Sequence, residues 1–240
     1  MNARVRGELI KLRTTRTALG FAAAAVLLVL ATVLITTLAG DPTTMSDKRS
    51  AINFGGTLSA VLLLFGVVGS AAEYRHRTLA PALLIAPDRG KLTLARMLAY
   101  AFAALIMGLL MLIVAFVIGI PLLSGTNGPD LAGSDYVRVG GGGLLAAVLS
   151  AVLGVGIGVL VRNQVAGVVG SLCWFFIVEP LIPLLSDDAA KFTVGQSASA
   201  LGGATQGNVL GFVPALLVLA AWAVAFLVAG VLVDRRRDVT

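Results

Sequence analysis

Six long apolar runs alternate with short polar segments along the chain, at 18–39, 54–72, 97–120, 139–161, 165–185 and 211–233. Each reaches the roughly 17–25 residues that a helix needs to cross a hydrocarbon core of ~30 Å. The pattern predicts an all-α integral membrane protein, a single transmembrane domain over 1–240 with six spans. Ahead of the first span, Val5, Leu9 and Leu12 recur at i, i+4 and i+7, while Arg4, Glu8 and Lys11 take the opposite face. Arg4, Arg6, Lys11, Arg13 and Arg16 against one acid predict an amphipathic helix over 1–17 lying in the headgroup layer. The first apolar run is too long for a signal-peptide core and is expected to stay as an anchor.

The polar segment 73–91 differs from the other interruptions. Thr78 is placed to cap a short helix, Pro81 falls in its first turn where a missing N–H costs little, and Pro87 ends it. The enclosed residues 79–86 make about 8 residues, or ~12 Å of helix. That is too short to span a bilayer, and Leu79, Leu83, Leu84 and Ile85 are too apolar to stand free in water. Flanked by Glu73, Arg77, Arg89 and Lys91, this island predicts a plug for a soluble partner protein.

Charge sets the expected orientation. Of 18 lysines and arginines, fourteen lie in the leading segment, around the island (Arg75, Arg77, Arg89, Lys91, Arg96), at Arg162 and at Arg235, Arg236 and Arg237. The other side holds Lys48, Arg49, Arg138 and Lys191. Basic loops mark the cytoplasmic side, so both termini and the island are expected there, in a multi-pass protein of the cell's inner membrane. Composition agrees: charged residues are 12% and mean hydropathy is +0.97, where soluble domains carry about 25% charge. The net charge of +6 therefore reads as helix-end and headgroup charge, with no nucleic acid as partner. The segments 40–53 and 121–138 read as plain connectors. The third, 186–210, is rich in small residues, and whether it dips back toward the membrane stays open.

Candidate chemistry is sparse. There is no Walker-type phosphate loop, and the Gly140 to Gly143 run is not one, since no Gly-Lys-Ser/Thr follows it. The single histidine, His76, lies in the island, the single cysteine, Cys173, excludes an internal disulfide, and no metal-ligand spacing occurs. No catalytic residue and no metal site is expected in this chain. Gly154 and Gly158 set small residues on one face of the fourth span, as Gly66 and Ser70 do on the second. Such spacing lets backbones approach, either within the chain or across a dimer. One carboxylate, Glu179, falls inside a span, ~26 Å along the helix from Arg162. It is either a functional ionisable group or a carboxylate at a helix break near the outer boundary, next to Pro180.

Taken together, these residues resemble the permease subunits of type-2 ABC exporters, the compact actinobacterial kind. The resemblance runs through the leading Glu8 to Thr17 stretch, the island's Glu73, Thr78, Leu83, Leu84, Pro87 and Arg89, then Arg96, and Glu179-Pro180-Leu181 with the small-residue segment after it. The chain departs from the family at Arg77, where a glycine often precedes the threonine, and at Arg96, often lysine. The resemblance implies a half-transporter: two copies, or one with a related permease, form a twelve-span pathway. Separate ATP-binding subunits would supply ATP and Mg and dock on the island, the coupling helix, and on the leading helix. Other classes stay open: a proton-coupled secondary transporter working through Glu179, a substrate-binding membrane subunit, or a membrane scaffold.

Overall fold

The computed structural model describes residues 2–40, 42–75, 89–204 and 208–236. Among them every regular element is helical: α1 (Asn2–Thr14), α2 (Arg16–Leu38), α3 (Met45–Ala51), α4 (Gly55–Arg75), α5 (Arg89–Ser124), α6 (Gly133–Val161), α7 (Gln164–Leu185), α8 (Asp187–Ala190), α9 (Val194–Leu201) and α10 (Phe212–Arg236). Five of these, α2, α5, α6, α7 and α10, are long and apolar enough to cross a membrane. The predicted second span corresponds to α4, of 21 residues, whose described apolar stretch is the shorter Leu58–Ala72. The helices run past the predicted spans where polar residues still support a turn. Asp135 accepts the Ala132 N–H at 2.9 Å and so starts α6 six residues before the apolar run. Helix α5 reaches back to Arg89 and takes in Arg96, which is 1% exposed.

The bundle is built around α6. Over half of its apolar window is buried (56%), against 6% for α7. The predicted small residues explain why α6 sits in the middle. A Cβ on Gly154 would collide with the Leu63 carbonyl, and one on Gly158 with the Ser70 hydroxyl, so this face lies directly against α4. From α4's side, a Cβ on Gly66 would strike the Ala151 carbonyl. Between them, Gly156 lets α10 approach: a Cβ there would lie 2.6 Å from the Leu227 nitrogen. One core therefore joins α2, α4, α5 and α6, through residues such as Val29, Phe65, Met111 and Ala151. Phe21, Phe65 and Tyr100 pack through it as tilted rings, with centroids 5.5 and 4.9 Å apart. A second core joins α4, α6, α9 and α10 through Leu63, Leu153, Leu201 and Leu219.

Two expectations need correcting. Segment 40–53 is not a plain connector, because it contains α3, started by a reciprocal Thr44–Asp47 capping box. That helix is clamped to 121–138 by Arg49 and Asp135, 2.7 Å apart. Lys48, 1% exposed, reaches the Leu123 and Gly128 carbonyls at 3.5 Å. In α1, Leu9 and Leu12 do face apolar neighbours, lining with Ala22, Phe102 and Ile106 a cavity of about 440 Å³. Glu8, however, is 5% exposed and not on a solvated face. Helix α1 packs along α5, and the carboxylate it covers is ion-paired to Lys11 at 2.8 Å, which offsets part of the desolvation cost.

Candidate functional site

The chemistry-bearing residues gather at the two ends of the bundle. At the end farther from the island, the site begins in α7. That helix runs regularly from an Asn163 cap, whose side chain accepts the Val165 and Ala166 N–H groups, until Trp174. Residues Trp174–Val178 form a π-helical turn, in which the Glu179 N–H reaches the Trp174 carbonyl. The wider turn comes just before Pro180, which has no N–H to continue the ordinary ladder. It sets the Glu179 side chain toward the returning segment 187–203.

That segment turns back into the bundle. Ser186 caps α8, Thr193 caps α9, and α9 packs against α4, α6 and α10 with Val194, Ser197, Ala198, Ala200 and Leu201 buried. The glycine run on α6 makes the room: a Cβ on Gly142 would collide with the Leu201 carbonyl, and one on Gly143 would lie 2.6 Å from the Phe54 ring. Glu179 holds the front of this wedge. Its Oε1 accepts the Gly195 N–H at 2.6 Å, and its carboxylate also takes hydrogen bonds from the Thr193 hydroxyl and the Val194 N–H. An anion is thus set on the unsatisfied N–H groups at the start of α9, where the helix dipole favours it. Asn53 holds the rear, donating to the Ser199 carbonyl and accepting the Gly55 N–H, both at 3.0 Å. The Trp222 indole N–H donates to the Phe192 carbonyl at 3.0 Å. Outside, Lys191 and Asn208 both donate to Asp188, and the lysine bond first, then Asn208, hold that carboxyl below its ordinary value.

At the island end, α4, α6 and α10 are tied by three side chains. The Tyr74 hydroxyl donates to Asp234 at 2.8 Å, Arg162 donates to the same carboxylate at 2.7 Å, and the guanidinium lies 5.4 Å from the centre of the Tyr74 ring. Arg162 ends α6 in the left-handed region, φ 55°, which turns its side chain back under the bundle.

The predicted site residues fall unevenly. Arg77, Thr78, Leu79, Leu83, Leu84 and Pro87 lie outside the described residues, while Glu73 and Arg89 belong to the last turn of α4 and the first of α5. In the leading segment, Arg4, Glu8, Lys11 and Arg13 belong to α1, and an exposed Arg16 opens α2. Glu179 is brought together with Thr193 and Gly195; Gly154 and Gly158 lie against α4. Sequence reasoning missed Asn53 and the Tyr74–Arg162–Asp234 clasp. The signal available for Asn53 was an asparagine two residues ahead of a Gly-Gly helix start, within reach of its first N–H. For the clasp it was Asp234, an acid placed directly after the last apolar run and ahead of three arginines. Among the described residues no three His, Cys, Asp or Glu side chains gather as a metal site. No family model matches the chain, and a search of curated proteins returns no match.

Proposed function

We propose that the chain is one transmembrane half of an ATP-driven exporter, paired with a second copy or a related chain and coupled to separate ATPase subunits at residues 73–91 and at α1. The observation that carries this reading is α9. A span distorted by a π-helical turn just before Glu179-Pro180, ending at Leu185 and followed by a short helix that returns among its neighbours, fits the small-residue segment that the resemblance includes after Leu181. Helix α4 supplies the sixth crossing, since its 21 residues make ~31 Å of helix. The basic asymmetry sets both termini and the island on the cytoplasmic side of the cell membrane. ATP and Mg belong to the partner subunit, and the present chain contributes the pathway and the docking surface.

The test is recovery of the partner. Leu83→Asp buries an unpaired charge in the docking groove, at a cost of several kcal/mol. A Walker-motif ATPase encoded beside this chain is expected to co-purify with tagged wild type and to be lost from the variant, along with vanadate-sensitive cargo efflux. Equal recovery from both, or efflux that ignores vanadate, overturns the proposal.

A further inference from the structure

We propose that the cavity between α7 and the face formed by α4, α6 and α10 is a binding site for a small, uncharged aromatic molecule carrying one hydrogen-bond acceptor. The cavity measures about 190 Å³ and is walled by Leu63, Leu153, Trp174 and Trp222, with no charged side chain in its lining. A charged ligand would be desolvated there without a counter-ion, which excludes it. A dry cavity of ~150 Å³ takes benzene, so this one has room for one or two fused rings.

Aromatic surface and one donor give the site its chemistry. Trp174 and Trp222 approach with centroids 5.7 Å apart, and Phe226 stacks on Trp222 at 5.8 Å and 24°. Trp222 has its N–H satisfied by Phe192. The Trp174 Nε1 is buried and has no acceptor among the described residues. Trp174 lies ten residues into the 22 of α7, at the middle of a span, where neither water nor headgroups reach to satisfy an N–H. It also opens the π-helical turn, a distortion that recurs at functional sites. In the turns before Trp174 the α7 wall is made of small residues, Ala166, Gly167, Gly170 and Ser171, and a Cβ on Gly170 would meet nothing within 4 Å. The inference is independent of what powers transport.

The chain has 2 tryptophans and both line the cavity, so intrinsic fluorescence of the full chain in lipid nanodiscs reports on it. Titration with 2-acetylnaphthalene is expected to give saturable quenching. The acceptor-free 2-ethylnaphthalene should bind about 3- to 10-fold more weakly, as loss of one neutral hydrogen bond implies. Gly170→Leu fills the space and should remove the saturable component, leaving only the linear quenching of probe dissolved in lipid. Trp174→Phe keeps Trp222 as reporter and should abolish the preference for the acetyl compound. A purely linear response in wild type, or one unchanged in Gly170→Leu, means bulk lipid partition or acyl-chain filling and overturns the site. Equal affinity for the two probes in wild type overturns the role of Trp174, and that comparison decides even if Gly170→Leu fails to fold.

Discussion

Replacing Glu179 by leucine removes the anion that holds the start of α9. Its carboxylate accepts the Gly195 N–H at 2.6 Å and the Val194 N–H and Thr193 hydroxyl besides. Hydrogen bonds to a charged acceptor contribute ~1.5–3 kcal/mol each, and an N-cap ~1. The group is only partly buried, which favours the lower end, so Glu179→Leu should weaken the α9 start by about 2 kcal/mol. Glu179→Gln keeps one carbonyl acceptor but loses the charge, and should cost about half of that. At 1.4 kcal/mol per tenfold, amide exchange at Gly195 should rise ~30-fold for leucine and ~5-fold for glutamine. Hydrogen–deuterium exchange of the peptide covering 193–201, in detergent, reads this directly. On the exporter reading proposed above, the glutamine variant should also retain most cargo efflux, since a cap needs an acceptor and not a titrating proton. Exchange in Glu179→Leu within twofold of wild type would refute the capping argument. Intact exchange with efflux abolished in Glu179→Gln would hand the residue to proton coupling.

Three further outcomes are expected. Gly154→Ala drives a methyl into the Leu63 carbonyl and should cost ~1–3 kcal/mol by overpacking. Gly141→Ala, with nothing within 4 Å, should instead raise the melting temperature slightly; equal shifts in thermal unfolding would contradict the α4–α6 packing. Asn53→Ala removes the bonds to Ser199 and Gly55 and should cost ~1–3 kcal/mol, seen as faster proteolysis within 195–204; unchanged cleavage counts against the rear clamp. Reporter fusions after residue 237 and within 186–210 should report opposite sides of the membrane, cytoplasmic for the first, and an extracytoplasmic signal at residue 237 reverses the orientation.

The helices were legible because lipid-scale apolar runs have one structural solution, and Gly154 and Gly158 were legible because their spacing puts them on one face. Glu179 stood out as a charge inside an apolar run, but its role was not, since capping depends on α9 returning from sixteen residues away in sequence. The burial of Glu8 was hidden for a similar reason: a helical wheel shows which side is polar and not which neighbour will cover it. Lys48 and Arg49 looked like loop charges because their acceptors lie some eighty residues downstream. Short-range pattern reads elements; pairs of distant polar residues appear only once the chain has folded.

The Tyr74–Arg162–Asp234 clasp makes α4, α6 and α10 a tripod joined at the feet. Such a tripod converts small angles into large excursions. With legs of ~31 Å, a tilt of about 10° about the foot moves a tip by ~5 Å, roughly the pitch of one helical turn. The tips are where α9 is wedged, held by hydrogen bonds from two other parts of the chain. Because α4 and α6 are also interlocked along their length, such a tilt is taken by the three helices as one body: the clasp stays closed and the displacement is felt at the far end, where the wedge sits.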